Sequence, residues 1–331
     1  VKLAGEKVKV NLFCARMSYS CAPYVIAYRR QNLESFLDAI IHTLNYFGGV
    51  PRSMIFDNAR VAVKSGFGAH AAAQDDYSKL AAHYGFQPVF CNPASGNEKG
   101  LVENLVGYIR RNVCVPLPQV DSLEDLNTKL LEQCAKYMNH KIDGRSQKVG
   151  QMLAEDQAHL HPLPKYVLDI SKKAYPKVNR YSTVLFDTNY YSVPCKYRGK
   201  GTTVKAYPNR VEIWINGLLV ATHDRCMGRK QESLDLRHYL PILERKGRAI
   251  RYARPVLNAV PAEFLNWMEK QHLNSKQMVE LLEQCLTDGY LAVMQRDLPN
   301  PDTSIAKNDV PVLSVDLSQY DKLYERKGAA S

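Results

Sequence analysis

The stretch that decides the fold of this chain spans residues 90 to 111 and reads Phe90-Cys91-Asn92-Pro93-Ala94-Ser95-Gly96-Asn97-Glu98-Lys99-Gly100-Leu101-Val102-Glu103-Asn104-Leu105-Val106-Gly107-Tyr108-Ile109-Arg110-Arg111. Its first residues favour a strand that ends at an Asn-Pro turn signal. A loop of small residues follows, in which two glycines allow unusual backbone angles. From Leu101 onward, apolar residues recur at helical spacing and two arginines close the last turn. The stretch therefore predicts a strand, a loop and a helix.

Glu103 lies in the first turn of that predicted helix, where the helix dipole tolerates a carboxylate. A carboxylate held beside a glycine-containing loop is a candidate metal ligand. The stretch alone leaves a second interpretation open, that of a solvated glutamate at the start of a helix.

The residues upstream alternate between strand and helix patterns. They predict two adjacent strands within residues 7–30, a helix that Asn32 caps and Gly48-Gly49 end, the strand Met54–Phe56, a helix near residues 76–84 and a strand at 87–91. Residues 64–75 are rich in Gly and Ala and predict a flexible loop. This order is typical of a mixed α/β layer fold.

Asp57 directly follows the short apolar strand that ends at Phe56. Ligands of α/β sheets bind where buried strands end, although Asp57-Asn58 is also a common turn-forming pair. If Asp57 and Glu103 lie together, they can share divalent metal ions, because hard cations prefer carboxylate oxygens. Two such ions can activate an attacking oxygen and stabilise a leaving one in phosphodiester chemistry.

The composition restricts the class of protein. The 331 residues carry a net charge of +11 and contain eight scattered cysteines. A polyanionic partner and reduced thiols in a cytoplasmic protein are therefore expected. The chain lacks any run of 18 apolar residues, so no membrane association is expected. It also lacks a phosphate-binding Walker loop, which argues against an ATPase.

The second half of the chain changes its period. Ser122 and Asp125 resemble a capping box for a supporting helix, and residues 147–175 read as a linker. Five short strands with turns between them follow from residue 176 to about 233, and the Asn216-Gly217 pair is a strong hairpin signal. Strands this short and this close predict a small all-β barrel. Amphipathic helices and a polar, extended tail from residue 297 follow.

Residues 176–255 hold 16 Lys and Arg against 6 Asp and Glu, a net charge of +10. This concentration favours contacts with nucleic-acid phosphates over a merely solvated surface. The predicted DNA-binding residues are Arg110, Arg111, Lys196, Arg198, Lys200, Lys205, Arg210, Arg225, Arg229 and Lys230.

Two acidic segments resemble a known family. Phe56-Asp57-Asn58 and Asn92-Pro93-x-Ser95-Gly96-Asn97-Glu98-Lys99-Gly100-x-Val102-Glu103 look like the second and third acidic motifs of DDE transposases and retroviral integrases. The longer form, with Gly107-Tyr108-x-Arg110-Arg111, is closer to the bacterial IstA-type insertion-sequence transposases. The stretch 238–246 is also similar to a segment of that group.

The resemblance implies an α/β RNase H-like catalytic core, incomplete at its N-terminus, followed by the small barrel and C-terminal helices. The predicted domains are the core at 1–120, a helical support and linker at 121–175, the basic barrel at 176–236 and a helical region with a tail at 237–331. The resemblance implies that Asp57 and Glu103 are catalytic metal ligands. Active-site support is expected from Asn58, Asn92, Ser95, Asn97 and Lys99.

The implied activity is 3′-end processing and strand transfer of transposon DNA with two Mg²⁺ or Mn²⁺ ions. The implied partners are double-stranded transposon-end DNA, target DNA, further copies of the chain in a dimer or tetramer, and an IstB-type AAA+ ATPase. A cytoplasmic, nucleoid-associated location in a bacterium follows.

The chain departs from the family pattern, because the strand expected to carry the first catalytic Asp, before a strand at 9–13, is missing. We therefore expect a fragment that begins after that Asp and is inactive alone. Two alternatives stay open: a catalytically silent nucleic-acid-binding module on the same scaffold, and an RNase H-like nuclease that cleaves without joining strands.

Overall fold

The computed structural model describes residues 1–56, 63–65, 72–73, 75–90 and 96–296, and for residues 63–65, 72–73 and 96–102 it describes the backbone alone. The chain divides into two compact units, residues 1–239 and residues 240–331. The first unit contains the predicted core, linker and barrel. The predicted tail from residue 297 lies outside the described residues.

The first 160 residues alternate between short strands and helices. In chain order these are β1 (Lys2–Leu3), β2 (Glu6–Lys7), β3 (Asn11–Arg16), β4 (Pro23–Tyr28), α1 (Leu33–Phe47), β5 (Ser53–Phe56), β6 (Val63–Ser65), β7 (Ala72–Ala73), α2 (Asp75–Tyr84), β8 (Gln87–Phe90), α3 (Gly96–Asn112), β9 (Gln119–Val120), α4 (Leu123–Tyr137) and α5 (Val149–Ala158). A mixed α/β fold is therefore confirmed.

Two strand pairs form the framework of this region. β3 and β4 are antiparallel, with Phe13 opposite Ile26. β5 and β8 are parallel, with Phe56 opposite Phe90. The first pair occurs where two strands were predicted, although β3 begins two residues later than the predicted strand at 9–13.

Local capping signals set the ends of α1 and α4, as predicted. The Asn32 side chain accepts a hydrogen bond from the Ser35 N–H at 3.0 Å, and Gly48 ends α1 in the left-handed region at φ 78°. Ser122 and Asp125 form a reciprocal capping box at the start of α4.

An aromatic cluster fixes the ends of β5 and β8 against α1 and α2. The ring centroids of Phe36 and Phe56 lie 5.5 Å apart, those of Phe56 and Tyr77 5.5 Å, and those of Tyr77 and Phe90 5.9 Å. Tyr77 is fully buried in this core. Helix α3 packs on a separate core through Leu105 and Ile109, which are also buried.

The predicted linker from residue 147 was wrong in part, because it contains α5. Val149 and Met152 are buried there, in a small core with Phe47 of α1. Their spacing gives the helix only one short apolar stripe, which is a weak helix signal. The prolines at 162 and 164 favoured the interpretation of this region as a linker.

Residues 172–239, here called the β-module, contain β10 (Lys172–Ala174), β11 (Thr183–Phe186), β12 (Asn189–Ser192), β13 (Thr203–Ala206), β14 (Arg210–Ile215), β15 (Leu218–Asp224) and β16 (Glu232–Ser233). They form one sheet in the order β10-β13-β14-β15 and a second in the order β11-β12-β16. Alternate residues of both sheets share one hydrophobic core.

The predicted small all-β barrel is not confirmed, because the described strands of the β-module form these two separate sheets. The chain leaves β12 at Ser192 and passes through Pro194, which has no N–H, and a 3₁₀ turn at Cys195–Tyr197 before β13 begins. The predicted hairpin is confirmed, since Asn216 and Gly217 both adopt positive φ between β14 and β15.

The second unit is helical over its described residues. It contains α6 (Leu240–Arg245), a 3₁₀ helix (Gly247–Tyr252), α7 (Arg254–Ala259), α8 (Ala262–Lys270), α9 (Ser275–Asp288) and α10 (Tyr290–Met294). Phe264 and Leu282 are fully buried in it. The predicted helix at 275–295 is split at Gly289, which has φ 82°.

None of the helices in the described part of the chain is both long enough and apolar enough to span a membrane.

Candidate active site and nucleic-acid interface

The predicted catalytic residues are only partly covered by the structure. Glu103 is exposed on α3. Asn97 and Lys99 belong to the part of α3 whose backbone alone is described. The remaining members of the predicted site lie outside the described residues: Asp57, Asn58, Asn92 and Ser95.

The strands that precede these members end side by side. Because β5 and β8 are parallel with Phe56 opposite Phe90, the chain leaves both strands at the same edge of the pair. Asp57 is the next residue after β5, and Asn92 follows β8 by two residues. The parallel register was not predicted from the sequence.

A cleft of about 1520 Å³ is lined by the whole of β3 and β5 and by residues of α1 and α3. From α3 it receives Val106 and Arg110. Glu103 precedes these two residues by three and seven positions, so the three share one face of the helix. Glu103 therefore lies on the face of α3 that borders the cleft, although it is not itself among the residues that line the cleft.

Both strands that line the cleft have an open edge. Among the described residues β3 pairs with β4 alone, and β5 pairs with β8 alone. Alternate residues of such strands direct their N–H and C=O groups away from the existing partner. The free main-chain N–H and C=O groups of β3 and β5 can therefore form hydrogen bonds with a further strand at the cleft.

Of the two predicted metal ligands, only Glu103 belongs to the described residues. No three His, Cys, Asp or Glu side chains gather in a metal-binding group within the described ranges. Glu103 supplies a hard oxygen donor of the kind that Mg²⁺ prefers, and its exposure leaves it accessible to an ion.

The β-module carries a cluster of cations, here called the basic edge: Lys177, Arg180, Lys196, Arg198 and Lys200. Backbone pairing brings its two segments together, since the Val178 N–H donates to the Lys200 carbonyl at 2.9 Å. All five side chains are exposed, and none forms an ion pair with a described carboxylate.

Two members of the basic edge, Lys177 and Arg180, were missed by the sequence-based prediction. The Arg180 guanidinium lies 4.8 Å from the ring centroid of Tyr181, whose side chain is 62% exposed. A basic residue beside an exposed aromatic one was the signal available in the sequence.

Two other predicted DNA-binding residues, Lys205 and Arg210, are paired with carboxylates. Lys205 Nζ lies 3.0 Å from an Asp169 carboxylate oxygen, and Arg210 Nε lies 2.9 Å from Glu212 Oε1. Burial raises the pKa of Asp169, but hydrogen bonds from Ser171 and Lys205 outweigh it and hold that pKa below its ordinary value. This face of the β-module is therefore largely neutralised.

Arg225 is a correction to the predicted DNA-binding set. It is only 5% exposed, and its guanidinium Nη2 lies 3.2 Å from Glu34 Oε1 and 3.5 Å from an Asp187 oxygen. A side chain enclosed in this way cannot reach a phosphate. The other predicted contacts are exposed: Arg110, Arg111, Arg229 and Lys230.

Comparison with known proteins places the chain among transposases. Residues 163–235 match the family model described as "Mu transposase, C-terminal domain". A transposase of Aminobacter aminovorans is 32% identical over 305 residues, which cover 88% of this chain and 59% of that protein. The transposase for insertion sequences IS1326/IS1353 of Pseudomonas aeruginosa is 30% identical over 302 residues, with the same coverage of 88% and 59%.

Two further matches are more distant. The transposase for insertion sequence element IS21 of Pseudomonas aeruginosa is 29% identical over 245 residues, which cover 73% of this chain and 63% of that protein. A chain of the simian T-cell lymphotropic virus intasome in complex with PP2A regulatory subunit B56 gamma matches with a TM-score of 0.35 and 13% identity, covering 69% of this chain and 76% of that chain. That overlap is too loose to support an argument about the fold.

The chain spans about three fifths of the length of the first two relatives, 59% in each case. The matches to the IS1326/IS1353 and IS21 proteins agree with the resemblance of the two acidic motifs. This chain belongs to the bacterial insertion-sequence transposases of the IS21 and IS1326 type.

Proposed function

We propose that this chain is the catalytic and DNA-holding part of a DDE-type transposase that processes the 3′ ends of an insertion sequence and joins them to target DNA. The observation that supports the proposal is a cleft lined by β5, the strand directly before Asp57 in the sequence, and by Val106 and Arg110 of α3. Glu103 shares a helix face with these two residues. In this proposal the two carboxylates hold two Mg²⁺ or Mn²⁺ ions, which would activate the attacking oxygen and stabilise the leaving one.

The cleft also supports an RNase H-like core. One further strand between β3 and β5 would join the antiparallel pair and the parallel pair into a single sheet. In this proposal the first catalytic Asp would lie on such a strand. Transposon-end and target DNA, other copies of the chain and an IstB-type AAA+ ATPase are the partners of this proposal, in the bacterial cytoplasm.

The proposal is tested with the longer transposase, transposon-end DNA, Mg²⁺ and a supercoiled target plasmid. We expect ends covalently joined to the plasmid, and no joining when the transposon 3′ end carries a dideoxynucleotide. Cleavage without joining would replace the proposal by a hydrolytic nuclease. DNA binding without either reaction would replace it by a silent binding module.

The basic edge is proposed to hold the DNA backbone. Reversing Lys196, Arg198 and Lys200 to Glu is expected to weaken binding to all duplex sequences alike and to lower the slope of log affinity against log salt by about 2.7, because each lost phosphate contact accounts for about 0.9. Fluorescence anisotropy of a labelled duplex between 50 and 300 mM salt (roughly the range over which such slopes are resolved) measures both quantities.

The matched control reverses Lys173, Lys205 and Arg210 to Glu, the same change in charge on the neutralised face. We expect a smaller loss of affinity, because these cations already form ion pairs with Asp169 and Glu212. Equal losses from both variants would show that only net charge matters and would remove the basic edge from the proposal.

A further inference from the structure

A second concentration of cations lies in the helical unit, outside the β-module. Residues 176–255, which carry a net charge of +10, belong to both units, because the boundary between the units falls after Tyr239. Residues 245–254 contain five Lys and Arg and no Asp or Glu. This stretch, here called the basic segment, joins the end of α6 to the start of α7.

The core of the helical unit turns these cations outward. Leu243, Ile250 and Val256 are buried, with 3%, 1% and 0% of their surface exposed. The cations between them are consequently held at the surface beside the exposed Glu244, and these cations are Arg245, Lys246, Arg248, Arg251 and Arg254.

Three of these cations are available to an external anion. Arg245, Lys246 and Arg248 are exposed, and none forms an ion pair with a carboxylate of the described residues. Arg251 pairs with Glu269, yet its side chain stays 45% exposed. When these three cations bind a phosphate, no existing ion pair has to be broken.

Tyr252 stands among these cations and is 76% exposed. An aromatic side chain exposed to this degree contributes little to the hydrophobic core of its own unit. Tyrosine hydroxyls, like arginine and lysine, are common donors to the phosphate oxygens of DNA.

Most acidic residues of the unit lie away from the basic segment, and the exception is the exposed Glu244 directly before it. Five of its six acidic residues between 240 and 296 fall between Glu263 and Asp288, on α8 and α9. A second copy of the chain could in principle offer that acidic surface. The net charge of +11 in the chain as a whole favours a polyanion as the partner of the basic segment.

We propose that the basic segment is a second, sequence-independent contact with the backbone of duplex DNA. It rests on the proposed function, since it assigns a further DNA contact to the same transposase. The contact is made by Lys246, Arg248 and Tyr252, with Arg245 beside them, and it belongs to a unit with its own hydrophobic core.

The test compares two double variants of the full chain that lose the same charge in the same unit. Lys246→Ala/Arg248→Ala removes two cations of the basic segment, and Lys270→Ala/Lys276→Ala removes two exposed cations outside it. Anisotropy with a 30-base-pair duplex (about three helical turns) of arbitrary sequence is expected to show a salt slope lowered by about 1.8 in the first variant and nearly unchanged in the second. Tyr252→Phe is expected to weaken binding without changing the slope.

The outcomes separate this inference from the proposed function. If the β-module variant at 196, 198 and 200 weakens binding while Lys246→Ala/Arg248→Ala leaves the slope unchanged, the basic segment is not a DNA contact and the proposed function stands. Equal changes in both double variants would also overturn it, since only net charge would then matter. A loss of self-association in place of DNA binding, seen by sedimentation, would assign the segment to a second copy.

Discussion

Replacing Glu103 by Gln in the longer transposase is expected to reduce strand joining by about 1000-fold or more. The amide keeps the shape of the side chain but removes the negative charge that a divalent ion requires. Metal stabilisation of transition-state charge is worth several kcal/mol, and about 4 kcal/mol corresponds to a factor of roughly 1000 in rate. Asp57→Asn is expected to have an effect of the same size, because both carboxylates would hold the ions.

Thermal unfolding and DNA affinity distinguish a defect in catalysis from a defect in folding. Glu103 is exposed on α3, so Glu103→Gln should leave the thermal unfolding temperature and the affinity for transposon-end DNA nearly unchanged. Glu132→Gln, at another exposed glutamate on α4, serves as the matched control and should join ends at the normal rate. Normal joining by Glu103→Gln would remove this residue from the metal site.

Local signals explain why much of the fold could be predicted from the sequence. The caps at Asn32 and Ser122 act within four residues of themselves, and the Asn216-Gly217 turn connects strands that are adjacent in the chain. Each of these signals carries its own geometry, so the sequence specifies the element directly. Helix α5 gives a weaker signal, because lysine is an unusual cap residue and the capping contact comes from Gln151, whose side chain accepts a hydrogen bond from the Lys148 N–H at 2.9 Å.

Long-range pairing explains what could not be predicted. The parallel register of β5 and β8 depends on the packing of Phe36, Phe56 and Tyr77, which the chain brings together across about forty residues. The same limit applies to the cations of the β-module. Lys205 and Lys196 look alike in the sequence. Only the position of Asp169 distinguishes Lys205, with which it pairs, from Lys196, which pairs with no carboxylate of the described residues.

Arg225 is the clearest case, because its main partner is 191 residues away. Its side chain, only 2% exposed, pairs with Glu34 in the first turn of α1 and with Asp187 of the β-module, and its Nη1 donates to the Tyr207 carbonyl at 3.0 Å. Arg30 also pairs with Asp187, at 3.0 Å. These contacts connect α1 to the β-module within the first unit.

Charge balance in this cluster is visible in the ionisation of Asp187. Burial raises the pKa of this carboxyl, but the hydrogen bond from Arg30 and the nearby charges of Lys172 and Arg225 outweigh it and hold the pKa below its ordinary value. Asp187 therefore stays charged and adds to the negative field that Arg225 compensates. Removing Arg225 would leave Glu34, which is 8% exposed, as a buried carboxylate without its cation.

Arg225→Met is consequently expected to lower the free energy of unfolding of the first unit by about 3 to 5 kcal/mol, the usual cost of breaking a buried ion pair from one side. Urea unfolding followed by circular dichroism measures it. Arg225→Met/Glu34→Gln should recover most of the loss, because the buried charge is then gone as well. Arg237→Met, which breaks an ion pair whose arginine side chain is 73% exposed, is the matched control and should cost less than about 1 kcal/mol. A double variant no more stable than Arg225→Met alone would mean that packing of the arginine, and not compensation of Glu34, holds α1 to the β-module.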